Sequence, residues 1–323
     1  MAVLGPPPRA RAAATALVAL LLAACAAAPP PARAPLYPVA AETRAPPQTV
    51  TVLLPGALTT SRVFGPARDW AGPDHLVVEY RLPGMQGEPL RPALDIDRAA
   101  GWVADLANRH PQARIQLLGY STGAVIAIEA AGRIDHGERV RVVAVSSATP
   151  FPGAALALLR GAAQVAGGAL AIGSFDRDRV WEEYFKTLYL GTGWRRSPEK
   201  RDLARRLEEA MRGRLTTPGE GRGRAQSASL LFWTPSRAAL DSKATITFYH
   251  GDRDPVFPLG PVRRLAARMG ARLCVLPEEG HMLFLSRPDL IWQIGQQFRA
   301  SAPDGPCWTV GPREPSPTIR DRS

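Results

Sequence analysis

The sequence predicts an α/β fold: a mostly parallel, doubly wound sheet with a helical cap inserted into it. Three observations carry this. Short, near-continuous apolar runs rich in β-branched residues recur along the chain, the pattern of strands buried on both faces. Segments of helical periodicity alternate with them, as a parallel sheet covered on both sides requires. Between residues 151 and 240 that alternation stops and only helical patterns remain. An insertion of this kind between two sheet strands would stand over the strand ends.

Composition supports a folded core. The 323 residues are 46% hydrophobic and 21% charged, which excludes a disordered chain. The 32 Pro crowd the two ends and leave the middle free to fold. Net charge is +11, from 37 Arg and only 3 Lys. With abundant Ala, Gly and Pro, this reads as the composition of a G+C-rich genome. The Arg residues are scattered among acids without a long basic run, so no nucleic-acid partner is expected. Three Cys without a CxxC pair are too few for a disulfide scaffold or a zinc cluster.

The N-terminal residues stand apart from the fold. Arg9 and Arg11 are the only charges before an apolar run, Ala12 to Ala24. That run is shorter than the roughly twenty residues needed to cross a membrane, so it reads as a secretory signal. Leu22-Ala23-Ala24-Cys25 resembles the lipobox of bacterial lipoproteins. The resemblance implies removal of residues 1–24, a diacylglycerol on the Cys25 sulfur and a membrane anchor there. Ala26, where an Asp would retain the protein at the inner membrane, implies an outer-membrane lipoprotein facing the periplasm. The alternative is an ordinary signal cut within Ala26-Ala27-Ala28, giving a periplasmic or secreted protein. Residues 25–47 are Ala- and Pro-rich and predict an extended tether. Residues 301–323 predict a loose tail.

The core is expected in two pieces, 48–150 and 241–300, with the cap at 151–240 between them. Thr49 to Leu54 is a β-branched strand ending at Pro55-Gly56, and Leu76 to Tyr80 is a second. Asp95 to Arg109 carries a helical apolar stripe. Arg114 to Leu118 is the third strand, Ala124 to Ala131 a small-residue helix, and Val140 to Val145 the fourth strand. After the cap come a fifth strand, Ala244 to Tyr249, and a helix, Pro261 to Met269. The sixth strand, Arg272 to Leu276, and a last helix, Asp289 to Phe298, complete the core.

Gly119-Tyr120-Ser121-Thr122-Gly123 is a G-x-S-x-G placed directly between a strand and a helix. In that context it reads as a nucleophile elbow. The Ser must sit on a strained turn with small neighbours, so that its hydroxyl stands out at the carboxyl end of the sheet. The following helix then points unpaired N–H groups at the site, which favours an oxyanion. A Ser nucleophile needs a base, and the base an orienting acid. Of five His, His281 lies on a loop after the last strand and is the only one C-terminal of the candidate acid. His250, at a strand end, is the lesser candidate for the base. For the acid, Asp254 before Pro255 is favoured over Asp252, which suits a turn cap. The backbone N–H groups of Ala57, after the first strand, and Thr122 are the expected oxyanion donors. The order Ser121, Asp254, His281 is the order given for strand–elbow hydrolases.

From about residue 48 to 300 the chain resembles the α/β-hydrolase family, with elbow, acid loop, His loop and cap in sequence. The loop after the first strand departs from the family pattern in having Pro55 where members often carry His. The resemblance implies a hydrolase that uses water, forms an acyl-Ser121 intermediate and needs no metal or cofactor. The expected partner is a small-molecule ester or peptide-like substrate. Carboxylic esters lead. A cap-gated aminopeptidase-like activity is the alternative, because Glu182, Glu183, Glu208 or Glu209 of the cap could hold a substrate amine. A non-catalytic envelope binding module of the same fold is a third reading. Dehalogenases and epoxide hydrolases of the family would carry Asp at position 121.

Two further expectations concern packing. Ala154 to Leu170 is almost purely apolar, with Arg160 its only charge, and would form an apolar ceiling over the site. Trp181, Tyr184, Phe185, Tyr189 and Trp194 follow. Together these walls favour apolar acyl or aryl groups, and the basic stretch from Arg195 to Arg224 reads as a solvated rim. In an oxidising compartment Cys274 and Cys307 either pair, clipping the tail to the domain, or remain separate with Cys274 buried.

Overall fold

The computed structural model describes residues 33–40, 46–90, 93–211, 218–219, 221–300 and 307. The chain divides after Arg33, and every strand and helix named below belongs to the unit from Ala34 onward. Cys25 and the apolar run before it lie outside the described residues, as does the tail apart from Cys307.

In chain order the elements are β1 (Leu36–Pro38), β2 (Thr49–Leu54), β3 (His75–Tyr80), α1 (Ile96–Asn108), β4 (Arg114–Tyr120), α2 (Thr122–Ala131) and β5 (Val140–Val145). The cap comes next: α3 (Gly153–Ile172), α4 (Arg177–Leu190), α5 (Pro198–Met211), α6 (Arg222–Ser227) and α7 (Arg237–Leu240). The core then resumes with β6 (Thr245–Gly251), α8 (Leu259–Arg268), β7 (Arg272–Leu276), α9 (Leu283–Ser286) and α10 (Leu290–Arg299). The seven strands lie in the order β1-β3-β2-β4-β5-β6-β7, parallel except for β1.

The central strands read as continuous apolar runs because both faces are covered. All six residues of β2 are buried, and Val50, Val52, Leu53, Leu54, Leu117 and Leu118 are fully so. Register brings the carboxyl ends level: Leu54 faces Gly119, Tyr120 faces Val145, and Val145 faces Tyr249. The loops after β2, β4, β5, β6 and β7 therefore leave from one edge, where a ligand site of an open α/β sheet belongs. Helix α2 is buried on every side, so its small and aliphatic residues have no polar face to keep. Its one charge, Glu129, accepts hydrogen bonds from Trp233 Nε1 (2.9 Å) and the Ser236 N–H (3.0 Å). Asp95 caps α1 through the Arg98 N–H.

Residues 36–38, expected within the tether, form an edge strand antiparallel to β3. Arg81 N–H donates to Pro35 O and Val39 N–H to Val77 O, and the Arg81 guanidinium stacks 3.9 Å above Tyr37. A proline is compatible with an edge, where one side of the strand needs no partner. The loop between β2 and β3 also holds a broken stretch of tight helical turns, Ser61–Trp70, which buries Phe64 and Ala67.

The apolar ceiling expected of α3 is not formed by its large side chains. The buried residues of α3 are Ala154, Ala157, Gly168 and Ala169, small enough to let α3 approach α4 closely. Its leucines point outward: Leu158, Leu159 and Leu170 are 62%, 67% and 74% exposed. Of the cap aromatics, Trp194 packs with Leu190 and Ala204 in a small core of its own.

Cys274 on β7 and Cys307 are joined by a disulfide, with Cα atoms 5.4 Å apart. The bond closes a loop over a separation of 33 residues. In the chain-entropy account this contributes about 3–4 kcal/mol. Cys274→Ser is expected to lower Tm under non-reducing conditions and to leave one titratable thiol at Cys307. An unchanged Tm, or a parent protein whose two Cys titrate without reductant, would contradict the bridge.

Candidate active site

Ser121 follows β4 with φ 52° and ψ −113°, a region that costs a non-glycine residue energy. Its neighbours make the strain sustainable. A Cβ on Gly119 would lie 2.5 Å from Ala124 Cα, and one on Gly123 only 1.9 Å from the Leu54 carbonyl oxygen. Neither position tolerates a side chain, because strand, turn and helix approach too closely. The hydroxyl of Ser121 is thereby presented at the sheet's carboxyl edge, beside the N-terminus of α2.

His281 comes from the loop after β7. Its Nε2 lies 3.2 Å from Ser121 Oγ, and its Nδ1 lies 2.8 Å from Asp254 Oδ2. All three side chains are buried. The structure thus brings Ser121, His281 and Asp254 into one hydrogen-bonded line. Asp252 stands elsewhere: its Oδ1 accepts the Glu278 N–H at 2.7 Å, a turn cap.

Asp254 is held from behind. Its Oδ1 accepts the Val256 and Phe257 N–H groups at 2.7 and 3.0 Å. Burial alone would raise its pKa. The adjacent His281 and its hydrogen bond, with His250 and the Phe257 N–H, outweigh burial and hold the carboxyl below its ordinary value. An acid held ionised in this way fixes Nδ1 as the protonated nitrogen of His281 and leaves Nε2 to accept a proton from Ser121. His250, fully buried, sits behind the pair with Nε2 2.7 Å from the Phe257 carbonyl oxygen and 3.6 Å from Asp254 Oδ2. Desolvation lowers its pKa, against the opposing pull of Asp254 and the Phe257 carbonyl. It has no contact with Ser121 that would let it serve as the base.

The main chain of His281 is clamped from three directions. Its N–H donates to the Leu188 carbonyl oxygen of α4 (2.8 Å). Its carbonyl oxygen accepts from Ser146 Oγ (2.8 Å) and, more weakly, from Tyr120 Oη (3.4 Å). Sequence reasoning does not find these partners. Leu188 acts through its backbone, which no sequence motif marks. Ser146, with φ 46°, directly follows the last residue of β5, and its place at a strand end is the one signal that could have identified it.

The loop after β2 lies against the elbow: a Cβ on Gly56 would be 2.9 Å from Ser121 Cβ. Ala57, the next residue, therefore lies close to Ser121, as Thr122 does by sequence. The next amide, Leu58, donates to Gln226 Oε1 at 2.6 Å, and Gln226 Nε2 donates to the Pro83 carbonyl oxygen at 2.6 Å. Gln226, fully buried on α6, is a third residue the sequence did not disclose.

Three acidic residues of the cap face bases of the cap. Glu183 pairs with Arg195 and lies 3.4 Å from Lys186, which also reaches Glu208 (2.6 Å) and Glu182 (3.8 Å). Among the described residues no cluster of His, Cys, Asp and Glu has the arrangement of a metal site.

Comparison with known proteins agrees with the fold. The sequence profile described as "Alpha/beta hydrolase family" matches residues 51–294. No curated protein sequence matches the chain. Among solved structures, the chain is similar to MGS-M2, an alpha/beta hydrolase enzyme from a Medee basin deep-sea metagenome library. The TM-score is 0.61 at 16% identity, over 81% of this chain and 94% of that one. It is similar also to a putative non-heme bromoperoxidase, BpoC, of Mycobacterium tuberculosis H37Rv (TM-score 0.60, 17% identity, 78% and 92% covered). A third is the esterase RhEst1 of Rhodococcus sp. ECU1013 (TM-score 0.54, 19% identity, 81% and 94% covered). At these identities the likeness is one of fold.

Proposed function

Because the chain belongs to the alpha/beta hydrolase family, we propose that it is a serine hydrolase of carboxylic esters with uncharged acyl or aryl groups. The observation that carries this reading is the line Ser121–His281–Asp254, with hydrogen bonds of 3.2 and 2.8 Å. His281 takes the Ser121 proton on Nε2 as Oγ attacks the acyl carbon, and Asp254 stabilises the imidazolium. The Ala57 and Thr122 N–H groups face the developing oxyanion, where one such donor is worth about 3 kcal/mol. His281 then returns the proton to the leaving alkoxide. Water, deprotonated by the same nitrogen, releases the acid and restores Ser121.

Two features support esters over amino-terminal peptides. Three of the four candidate amine-binding carboxylates, Glu182, Glu183 and Glu208, are engaged by Lys186 and Arg195, and the fourth, Glu209, is exposed to solvent. The groups around the histidine are rings, with Tyr120 and Phe257 centred 5.4 and 5.8 Å from its imidazole. A charged acyl chain would find the nearby Lys200 already facing Glu278 at 3.1 Å. The test is kcat/KM on p-nitrophenyl esters and aminoacyl nitroanilides. Butyrate esters are expected to exceed succinate half-esters. Each added methylene that enters the site should gain about fourfold, from about 0.8 kcal/mol of transfer energy. A preference for the charged acyl group, or turnover of nitroanilides only, would overturn the reading.

The sequence around Cys25 supports a second part of the proposal: a lipid-anchored protein of the bacterial envelope, facing the periplasm from the outer membrane. Cys25→Ser is expected to abolish incorporation of labelled palmitate. Labelling that persists in this variant would exclude acylation at Cys25.

A further inference from the structure

Helix α3 has the surface of a helix that belongs partly in lipid. It is 20 residues long, so about 30 Å. Over an 18-residue window its mean hydropathy is 1.5, yet only 17% of that window is buried. A helix on a water-facing surface ordinarily turns a polar face outward. This one turns out Leu156, Leu159 and Leu170 along one side, interrupted only by Arg160, with Leu158 and Val165 exposed at the edge of the packed side. Aromatic rings stand at both ends. Phe151 precedes the helix and stacks on Phe232 with centroids 6.0 Å apart, and Phe175 follows it, 82% exposed. An exposed apolar surface of this extent marks a protein or membrane contact.

We infer that this face of α3, with Phe151, Phe232 and Phe175, docks on the surface of a phospholipid bilayer, the helix lying in the plane of the interface. Length and composition would permit α3 to cross a membrane. Its opposite side, however, is occupied, since Ala154, Ala157, Gly168 and Ala169 are packed within the protein. That leaves one apolar side to enter the headgroup–acyl boundary, with Leu and Phe as the inserting residues, the pattern of an interfacial helix. The charges agree: Arg160, Arg177 and Arg179 are exposed on and after α3, beside Asp176 and Asp178, in a chain of net charge +11 that stays at 11 − 2 = +9 without Arg9 and Arg11. Anionic lipid complements that excess. The chain outside the described residues points the same way. Ten residues separate Cys25, the proposed acylation site, from Leu36 of β1. Fully extended, they reach about 40 Å. An acyl anchor at that distance keeps the domain within reach of the bilayer, and stable attachment generally takes two such signals. A second copy of the chain is the competing occupant, and the experiment separates the two.

The full chain is labelled with an environment-sensitive fluorophore at Leu159→Cys, with Asp105→Cys on the exposed side of α1 as control. It is then mixed with phosphatidylethanolamine–phosphatidylglycerol vesicles, with and without brominated acyl chains. Leu159 is two-thirds exposed, so the substitution does not burden folding. The expected result is a blue shift at position 159 that brominated lipid quenches, and neither effect at position 105. Adding Leu156→Glu and Leu170→Glu, which share the side of Leu159, to the labelled chain should abolish both, since each leucine moved out of water is worth about tenfold in partition. A label at 159 that stays in water overturns the proposal, as does quenching that survives the two Glu. A blue shift without quenching, accompanied by cross-linking between copies at 159, overturns it in favour of self-association. Hydrolysis is not read in any arm, so the outcome is independent of whether Ser121 is a nucleophile.

Discussion

Ser121→Ala is expected to reduce ester turnover by about a million-fold, with the fold and the Tm essentially kept. The magnitude follows from the way a nucleophile and its base act as one unit: removing the hydroxyl makes the remaining two members useless for covalent catalysis. The small residual rate above water would come from the oxyanion donors and substrate positioning alone. A fluorophosphonate should label the parent protein at Ser121 and leave the variant unlabelled. Steady-state hydrolysis of p-nitrophenyl butyrate supplies the number. Hydrolysis within tenfold of the parent would remove Ser121 from the mechanism.

Asp254→Asn should cost about ten-thousand-fold while leaving the fold intact. The hydrogen bonds around this residue give the reason. The Asn oxygen can replace Oδ1 and keep accepting from the Val256 and Phe257 N–H groups. Its amide nitrogen then faces His281 Nδ1 and donates to it. That selects the tautomer with a proton on Nε2, the nitrogen that must accept from Ser121. The imidazole stays in place but cannot act as a base. Asp252→Asn, by contrast, preserves an oxygen for the Glu278 N–H and should change kcat/KM only slightly. Measuring both variants on one ester decides the assignment, and a reversed order would move the acid to Asp252.

Much of this site is legible in the sequence because its chemistry is local. The elbow needs a strand, two glycines around a Ser and a helix in unbroken succession, and all of that is written between Arg114 and Ala131. Asp254 and His281 are readable because each lies in a short loop directly after an apolar strand, which fixes the edge from which it projects. What is not legible depends on distant partners. Gln226 lies 168 residues from the Leu58 amide it accepts from, in a stretch close to the basic run that reads as a solvated rim. The Leu188 clamp on His281 uses a carbonyl that every residue possesses. Strand β1 is masked by its prolines and its three-residue length. Hydropathy marks α3 as apolar but says nothing of which side faces inward. There the small residues decide, because only alanine and glycine let two helices approach closely, and the leucines are left outside.

The clamp from Leu188 makes the cap and the base a single mechanical part. Helix α4 holds the His281 N–H, while α6 reaches the Leu58 amide through Gln226. A cap lifted as a body would draw the imidazole away from Ser121 at one side and loosen the loop carrying Ala57 at the other. Chemistry and access are then mutually exclusive for any opening that moves both helices. Under the proposed mechanism such an opening would halt catalysis, because an acyl-Ser121 exposed in that state would have no imidazole beside it to activate water. In the proposed mechanism the seated cap would itself be a condition of turnover, and substrate would enter by motions that leave the Leu188 and Gln226 contacts in place.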